Sequence, residues 1–193
     1  CWGDNGYGYL GDGTNNGSNV PKKLKIGTNG SEIPAGSTIK KVSVSSGAVC
    51  AIASNDLLYC WGDNSGGELG IGQIGNREVP KQVKIGVSGS EMPVGVTIKK
   101  TYPSPNGEAM CVIGTDDNTY CWGNNEDGQL GIGESGNTLY APKKLKIGTN
   151  GSEIPSGVKL RELSLADSHG CGIGTDNLLF KSTSYYILRN RLL

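Results

Sequence analysis

The chain has 193 residues, and its 18 Lys and Arg are matched by 18 Asp and Glu, so the formal net charge is zero. Neutrality removes any bulk attraction to nucleic acid or to an anionic membrane surface, and no run of 18 apolar residues exists to form a membrane-spanning helix. Glycine supplies 32 residues and phenylalanine one, so the core has to be built from Val, Ile, Leu, Trp and Tyr with close backbone approaches.

The chain opens on Cys1-Trp2-Gly3. The same triplet returns as Cys60-Trp61-Gly62 and Cys121-Trp122-Gly123, at steps of 59 and 61 residues. A period of that size signals an array of like supersecondary units. Pro21–Pro34 and Pro142–Pro155 are identical (PKKLKIGTNGSEIP), and Pro80–Pro93 matches them at 9 of 14 positions. The units run 1–59, 60–120 and 121–180, and a divergent tail covers 181–193. Because Cys1 falls inside a unit, we read the chain as a piece of a longer array.

Within a unit the pattern is strand and turn. Ile39–Val44 alternates and is rich in β-branched residues. Val49–Ala53 and Leu57–Trp61 flank the polar turn Ser54-Asn55-Asp56, a hairpin signal. The segment Gly62–Gly72, rich in Gly, Asn and Asp, reads as a loop, and Lys81–Ile85 alternates again after a proline. Apolar residues hold helical spacing nowhere for three turns. Each unit therefore supplies about four short antiparallel strands, the number in a propeller blade.

The pattern C-W-G-x-N-x-x-G-x-L-G resembles the repeat of the RCC1 (regulator of chromosome condensation) family of β-propellers. It is carried by Trp2, Gly3, Asn5, Gly8, Leu10 and Gly11, by Trp61, Gly62, Asn64, Gly67, Leu69 and Gly70, and by Trp122, Gly123, Asn125, Gly128, Leu130 and Gly131. The resemblance implies an all-β fold of four-stranded blades, about seven in a ring. This chain would contain the end of one blade, two whole blades and the start of another, forming an open arc. The family's blade also tends to carry a His two residues before a strand Cys; His169 does so, whereas Ala48 and Ala109 take the other two sites.

Cys50 and Cys60 flank a hairpin turn centred on Asn55, which sets them opposite each other, and Cys111 and Cys121 repeat the arrangement around Asp116. Opposed antiparallel positions lie within disulfide range; two packed thiols are the alternative. Cys1 and Cys171 are left over, because the position opposite Cys171 is Lys181. The spacing offers no zinc pattern. Disulfides in successive blades point to an oxidising compartment, in keeping with the exported bacterial proteins that the Cys-paired blades resemble. The expected location is extracellular or at the cell surface.

Other candidates have plainer readings. Gly6-x-Gly8-x-x-Gly11 matches a dinucleotide fingerprint, but no helix follows and the other units do not keep its spacing. Asp4, Asn5, Asp12, Asp63, Asn64, Asn124, Asn125 and Asp127 resemble parts of calcium sets without a closing Glu, and Asn in such loops commonly bonds its own backbone. The lysine groups at 22–25, 40–41, 81–84, 99–100 and 143–146 read as a charged outer edge that blocks aggregation, or as a basic ring meeting an acidic partner such as a wall polymer or DNA. Trp2, Trp61 and Trp122 read as plugs between blades, with sugar or base stacking as the other use. Asn16, Asn29 and Asn150 begin N-G-S sequons, although Asn-Gly is also a turn dipeptide. His169 has no nucleophile near it in sequence.

No triad, carboxylate pair, metal cluster or cofactor motif emerges, so the expectation is a non-enzymatic scaffold for a protein or a cell-surface ligand. The near-identical connections Gly27–Thr38, Gly86–Thr97 and Gly148–Val158 are the candidate binding loops, through Asn29, Ser31, Glu32, Ser90, Glu91, Asn150, Ser152 and Glu153; a repeated contact of this kind would give avidity. Two alternatives stand beside this reading. One is regulation of a small GTPase, or chromatin binding, as the family resemblance allows, with the paired cysteines arguing against a cytosolic or nuclear home. The other is a carbohydrate-binding propeller.

Overall fold

A computed structural model describes residues 1–149 and 151–181. Asn150 and most of the divergent tail, 182–193, lie outside the described residues.

Among the described residues, eleven strands form three antiparallel meanders. The first sheet is β1 (Ile39–Val44), β2 (Ala48–Ala53), β3 (Leu58–Gly62) and β4 (Arg77–Gln82). The second is β5 (Ile98–Pro103), β6 (Ala109–Gly114), β7 (Thr119–Asn125) and β8 (Asn137–Lys144). The third has three strands, β9 (Leu160–Leu165), β10 (Gly170–Gly174) and β11 (Leu179–Lys181). Each whole sheet straddles a sequence repeat: its first two strands lie in one unit, its third crosses the boundary and its fourth lies in the next. Residues 1–26 carry only an isolated bridge, Gly3 with Ser18, in the place that Gly62 with Arg77 holds in the first sheet.

The sheets stack face to face, which explains the composition of their central strands. β2 (AVCAIA) and β6 (AMCVIG) are buried along their whole length. Alternate residues face opposite ways: Cys50 and Ile52 join a core with Val112, Tyr120 and Trp122 of the second sheet, while Val49 and Ala51 pack with Trp61 and Leu24 on the other side. Apolar residues are needed on both faces, so these strands read as continuous runs. The first strands of the three sheets, β1, β5 and β9, lie side by side. Lys41 Nζ donates to the Lys99 carbonyl at 3.3 Å, and Lys100 Nζ to the Glu162 carboxylate at 2.8 Å. The sheets radiate from this side as blades from an axis, leaving β4 and β8 at the rim.

Two expectations need correction. The strand read at Lys81–Ile85 lies earlier, at Arg77–Gln82. Pro80 sits inside it, tolerated because β4 is an edge and needs no outward N–H there. The Val83 amide still donates to the Leu58 carbonyl of β3 at 3.0 Å, and beyond it the Lys84 amide bonds to the Gly70 carbonyl instead, at 2.9 Å. Trp2 does not plug a core: it is 69 % exposed, whereas Trp61 and Trp122 are buried. Each buried Trp packs against the loop of the preceding unit, and among the described residues no such loop lies against Trp2. Val42 and Val44 on β1 are also exposed.

Candidate interaction surfaces

In an antiparallel meander, alternate connections emerge at opposite ends. The β1–β2, β3–β4 and equivalent connections share one end with the loop 3–18; the β2–β3 turns share the other with the long links between sheets.

The first end is built around three asparagines. Asn5, Asn64 and Asn125 are fully buried. Their Oδ1 atoms accept from the amides of Leu10 (2.8 Å), Leu69 (3.1 Å) and Leu130 (3.2 Å). Their Nδ2 atoms donate to the carbonyls of Thr14 (2.8 Å), Gln73 (2.6 Å) and Glu134 (2.9 Å). One side chain thus closes each loop from within and seats Leu10, Leu69 and Leu130 in the core. The glycines after each Trp, Gly3, Gly62 and Gly123, take positive φ of 109°, 109° and 97°, which turns the strand into that loop.

The loops so held carry the charge. Segments 3–18, 45–47, 63–76, 104–108, 126–136 and 166–169 contain nine Asp and Glu and no Lys or Arg. Half of the chain's carboxylates are gathered at one end of the sheets, and the zero net charge conceals this. Asp63 and Asn124 accept from the amides of Ser65 (3.0 Å) and Glu126 (2.9 Å), the turn-closing bonds expected of such residues. No group of three or more His, Cys, Asp or Glu able to hold a metal ion occurs among the described residues. Tyr7 and Ile74 stand exposed on the same loops. Glu68 is buried there, and burial, with Asp63 and Glu108 adding repulsion, pushes its carboxyl above the ordinary range despite two hydrogen bonds from the Gly66 amide. His169 is exposed at this end, and its carbonyl accepts from the Ala166 amide.

At the opposite end the candidate binding loops have an internal role. Glu32 N donates to the Pro80 carbonyl (2.9 Å), and the Glu32 carboxylate accepts from the Gln82 amide (2.7 Å) and pairs with Lys81 (3.4 Å). Glu91 repeats this with Pro142 (2.8 Å), the Lys144 amide (2.9 Å) and Lys143 (3.4 Å). Partial burial opposes ionisation of Glu91, but the Lys144 amide and the Lys143 ammonium outweigh it and hold the carboxyl below its ordinary value. The loops therefore cover the outer edges of β4 and β8. Glu153 is exposed, without a described counterpart strand, and Asn29 sits at a left-handed turn with φ of 49°. The Ser31, Ser90 and Ser152 hydroxyls accept from the amides of Ile33, Met92 and Ile154.

The lysines divide into two groups that the sequence does not separate. Lys40, Lys41, Lys99 and Lys100 lie on β1 and β5 beside the axis, and three of them pair with Asp56, Asp117 and Glu162. Those of the groups 22–25, 81–84 and 143–146 follow the rim. The best-formed concavities are shallow: about 370 Å³ over Lys41, Ser43, Lys100, Tyr102 and Glu162, and about 190 Å³ over Glu91, Glu134, Lys143, Lys144 and Lys146. Charged side chains stand in both, unlike the predominantly apolar wall of a small-molecule site, although Val42 and Tyr102 add apolar surface to the larger. Cys50–Cys60 and Cys111–Cys121 are disulfides with Cα atoms 4.1 Å apart; Cys1 and Cys171 are free, and Lys181 lies opposite Cys171.

These features define an open arc of propeller blades, cross-linked within each whole blade and with charge sorted between its two ends. The profile of the regulator of chromosome condensation (RCC1) repeat matches residues 55–97 and 116–173, and a second RCC1 repeat profile matches 39–68. The chain belongs to the RCC1 repeat family. It is 33 % identical over 143 residues to the human E3 ubiquitin-protein ligase HERC2, covering 74 % of this chain and 3 % of that protein. It is 29 % identical over 154 residues to the Arabidopsis thaliana ultraviolet-B receptor UVR8, covering 78 % and 31 %. The chain thus spans less than a third of either relative. Among solved structures, human WBSCR16 aligns with a TM-score of 0.69 at 17 % identity, covering 93 % of this chain and 41 % of that one. Saccharomyces cerevisiae Prp20p aligns at 0.59 with 15 % identity, covering 74 % and 32 %.

Proposed function

We propose that this chain is a non-enzymatic binding scaffold of an exported protein, and that its carboxylate-rich loop end docks a basic surface on a partner protein. The observation that carries the reading is the sorting of charge: nine carboxylates and no Lys or Arg on loops fixed by buried asparagines. A rigid surface on which one sign predominates, with the Arg77 guanidinium bound to the Gly75 and Asn76 carbonyls at its edge, favours encounter with the opposite sign and disfavours like charge. Exposed Tyr7 and Ile74 add the apolar contact that such interfaces need at their centre. The two buried disulfides support an oxidising compartment, as for the Cys-paired bacterial blades that this chain resembles. Prp20p, a protein of the same fold, binds Gsp1p and histones, so docking of proteins is a use this fold supports.

The test is selection of a random peptide library on the immobilised chain, followed by measurement of the selected peptides on a variant with Asp63, Glu108, Glu126 and Asp127 changed to their amides. The expected peptides are rich in Lys and Arg and lose at least tenfold in affinity on the variant. Neutral or acidic peptides that bind both proteins equally would refute the assignment.

A further inference from the structure

The rim carries a second charged surface, independent of the acidic end. Lys22, Lys81 and Lys143 hold one register position in three successive units: the Lys22 amide bonds to the Cys1 carbonyl, Lys81 pairs with Cys60, and Lys143 with Cys121. Three residues on, Lys25, Lys84 and Lys146 hold another, each fixed by an amide bond to the carbonyl of Gly11 (2.9 Å), Gly70 (2.9 Å) and Gly131 (3.0 Å). The stems of all three run over a second glycine, Gly13, Gly72 or Gly133. That glycine leaves room for the methylenes to lie flat and carries the ammonium out along the rim. None of these three lysines forms an ion pair among the described residues, unlike Lys81 with Glu32 and Lys143 with Glu91. Over segments 21–34, 80–93 and 142–155 the sequence holds eight Lys against three Glu.

We infer that the rim is a track for a linear polyanion, and that Lys25, Lys84 and Lys146 are its repeated contact points. The same cation in the same backbone setting on consecutive blades fits a ligand that repeats its own charge along its length. A chain touching several blades gains through effective concentration what each exposed contact lacks alone. Segments 21–34, 80–93 and 142–155 contain no aromatic residue, and Tyr140, exposed on β8, has Asn19 and Glu78 at the equivalent positions; no stacking platform repeats from blade to blade, so the ligand class is a phosphate polymer without bases.

Labelled inorganic polyphosphate titrated into the full chain and followed by anisotropy tests this. Binding is expected at low salt. The variant K25Q/K84Q/K146Q is expected to lose at least tenfold, with the slope of log K against log salt shallower by about 2, the single-strand increment for three contacts. The variant K40Q/K99Q/K100Q removes the same net charge at the axial side and is expected to stay within twofold of the unmodified chain. Matching thermal midpoints establish that both variants are folded. The inference is overturned by absence of binding at low salt, by equal losses in the two variants, or by an oligothymidylate that binds more tightly than polyphosphate. None of these outcomes bears on the acidic end.

Discussion

The indole Nε1 of Trp122, on the second sheet, donates to the carbonyl of Glu68, in the loop of the preceding unit, at 2.8 Å. Trp61 makes the same bond to Tyr9 at 2.9 Å. This bond locks one blade to the next and explains the spacing of the motif. A Cβ on Gly70 would lie 2.7 Å from the Trp122 indole, and Gly70 has φ of 64°. Only glycine lets the loop close over the ring.

Gly70→Ala is therefore expected to destabilise the chain by roughly 1–3 kcal/mol through overpacking, and Trp122→Ala by about 3–5 kcal/mol through loss of the buried ring. Urea unfolding measures both. Trp2→Ala, at the exposed equivalent, should change stability by less than about 0.5 kcal/mol.

The asparagine staples make a sharper prediction, because shape and chemistry can be separated. Asn125→Asp keeps the acceptor facing the Leu130 amide but sets an acceptor against the Glu134 carbonyl and the Asn137 Oδ1. A loss of at least about 2 kcal/mol is expected, since a buried polar group left without a partner costs roughly 1–3 kcal/mol. Unfolding of Asn125→Asp and Asn125→Ala should show comparable losses; an unchanged midpoint for the Asp variant would contradict the staple.

Each disulfide closes a loop between residues ten apart, worth about 2–3 kcal/mol on the chain-entropy scale. All four sulfurs are buried, so reductant should act only once the chain opens. Thiol titration of the folded protein should find two reactive groups, Cys1 and Cys171, and six after denaturation in reductant.

Two carboxylates should shift stability with pH in opposite directions. The folded state raises the Glu68 carboxyl above its ordinary value, so its charge weakens the fold at neutral pH and this penalty fades as the pH falls through that raised value. Glu68→Gln should raise the thermal midpoint at pH 7, with the gain shrinking on acidification. Gln129, at the equivalent position, already accepts the matching amide bond from Asp127 at 3.0 Å. The folded state lowers the Glu91 carboxyl, so its contribution is present above the ordinary carboxylate range and lost as the pH falls through the lowered value. Glu91→Gln should reduce the midpoint at pH 7, with the loss shrinking as the pH falls through the lowered value.

Much of the architecture was legible in the residues. Ile39–Val44 is a strand at the limits its alternation predicts, and the opposed cysteines follow from a turn centred on Asn55. β4 was misplaced because alternation continues to Ile85, while the ladder is set by where β3 bulges between Cys60 and Gly62. Glu32 and Glu91 looked free for a ligand because their partners, Lys81 and Lys143, lie about fifty residues away on the next rim strand. The acidic end is hidden in the summed charge of the chain, and assigning successive connections alternately to the two ends of each meander separates it from the sequence itself.

The central claim is that partners dock on the carboxylate-rich loop end and not on the near-identical links between sheets. A hydrogen-exchange footprint of the chain with a selected basic peptide bound tests this most directly. The account predicts added protection in 45–47, 63–76, 104–108 and 126–136, with 27–38 and 86–97 unchanged. Protection confined to 27–38 and 86–97 would contradict it and return the binding site to those links.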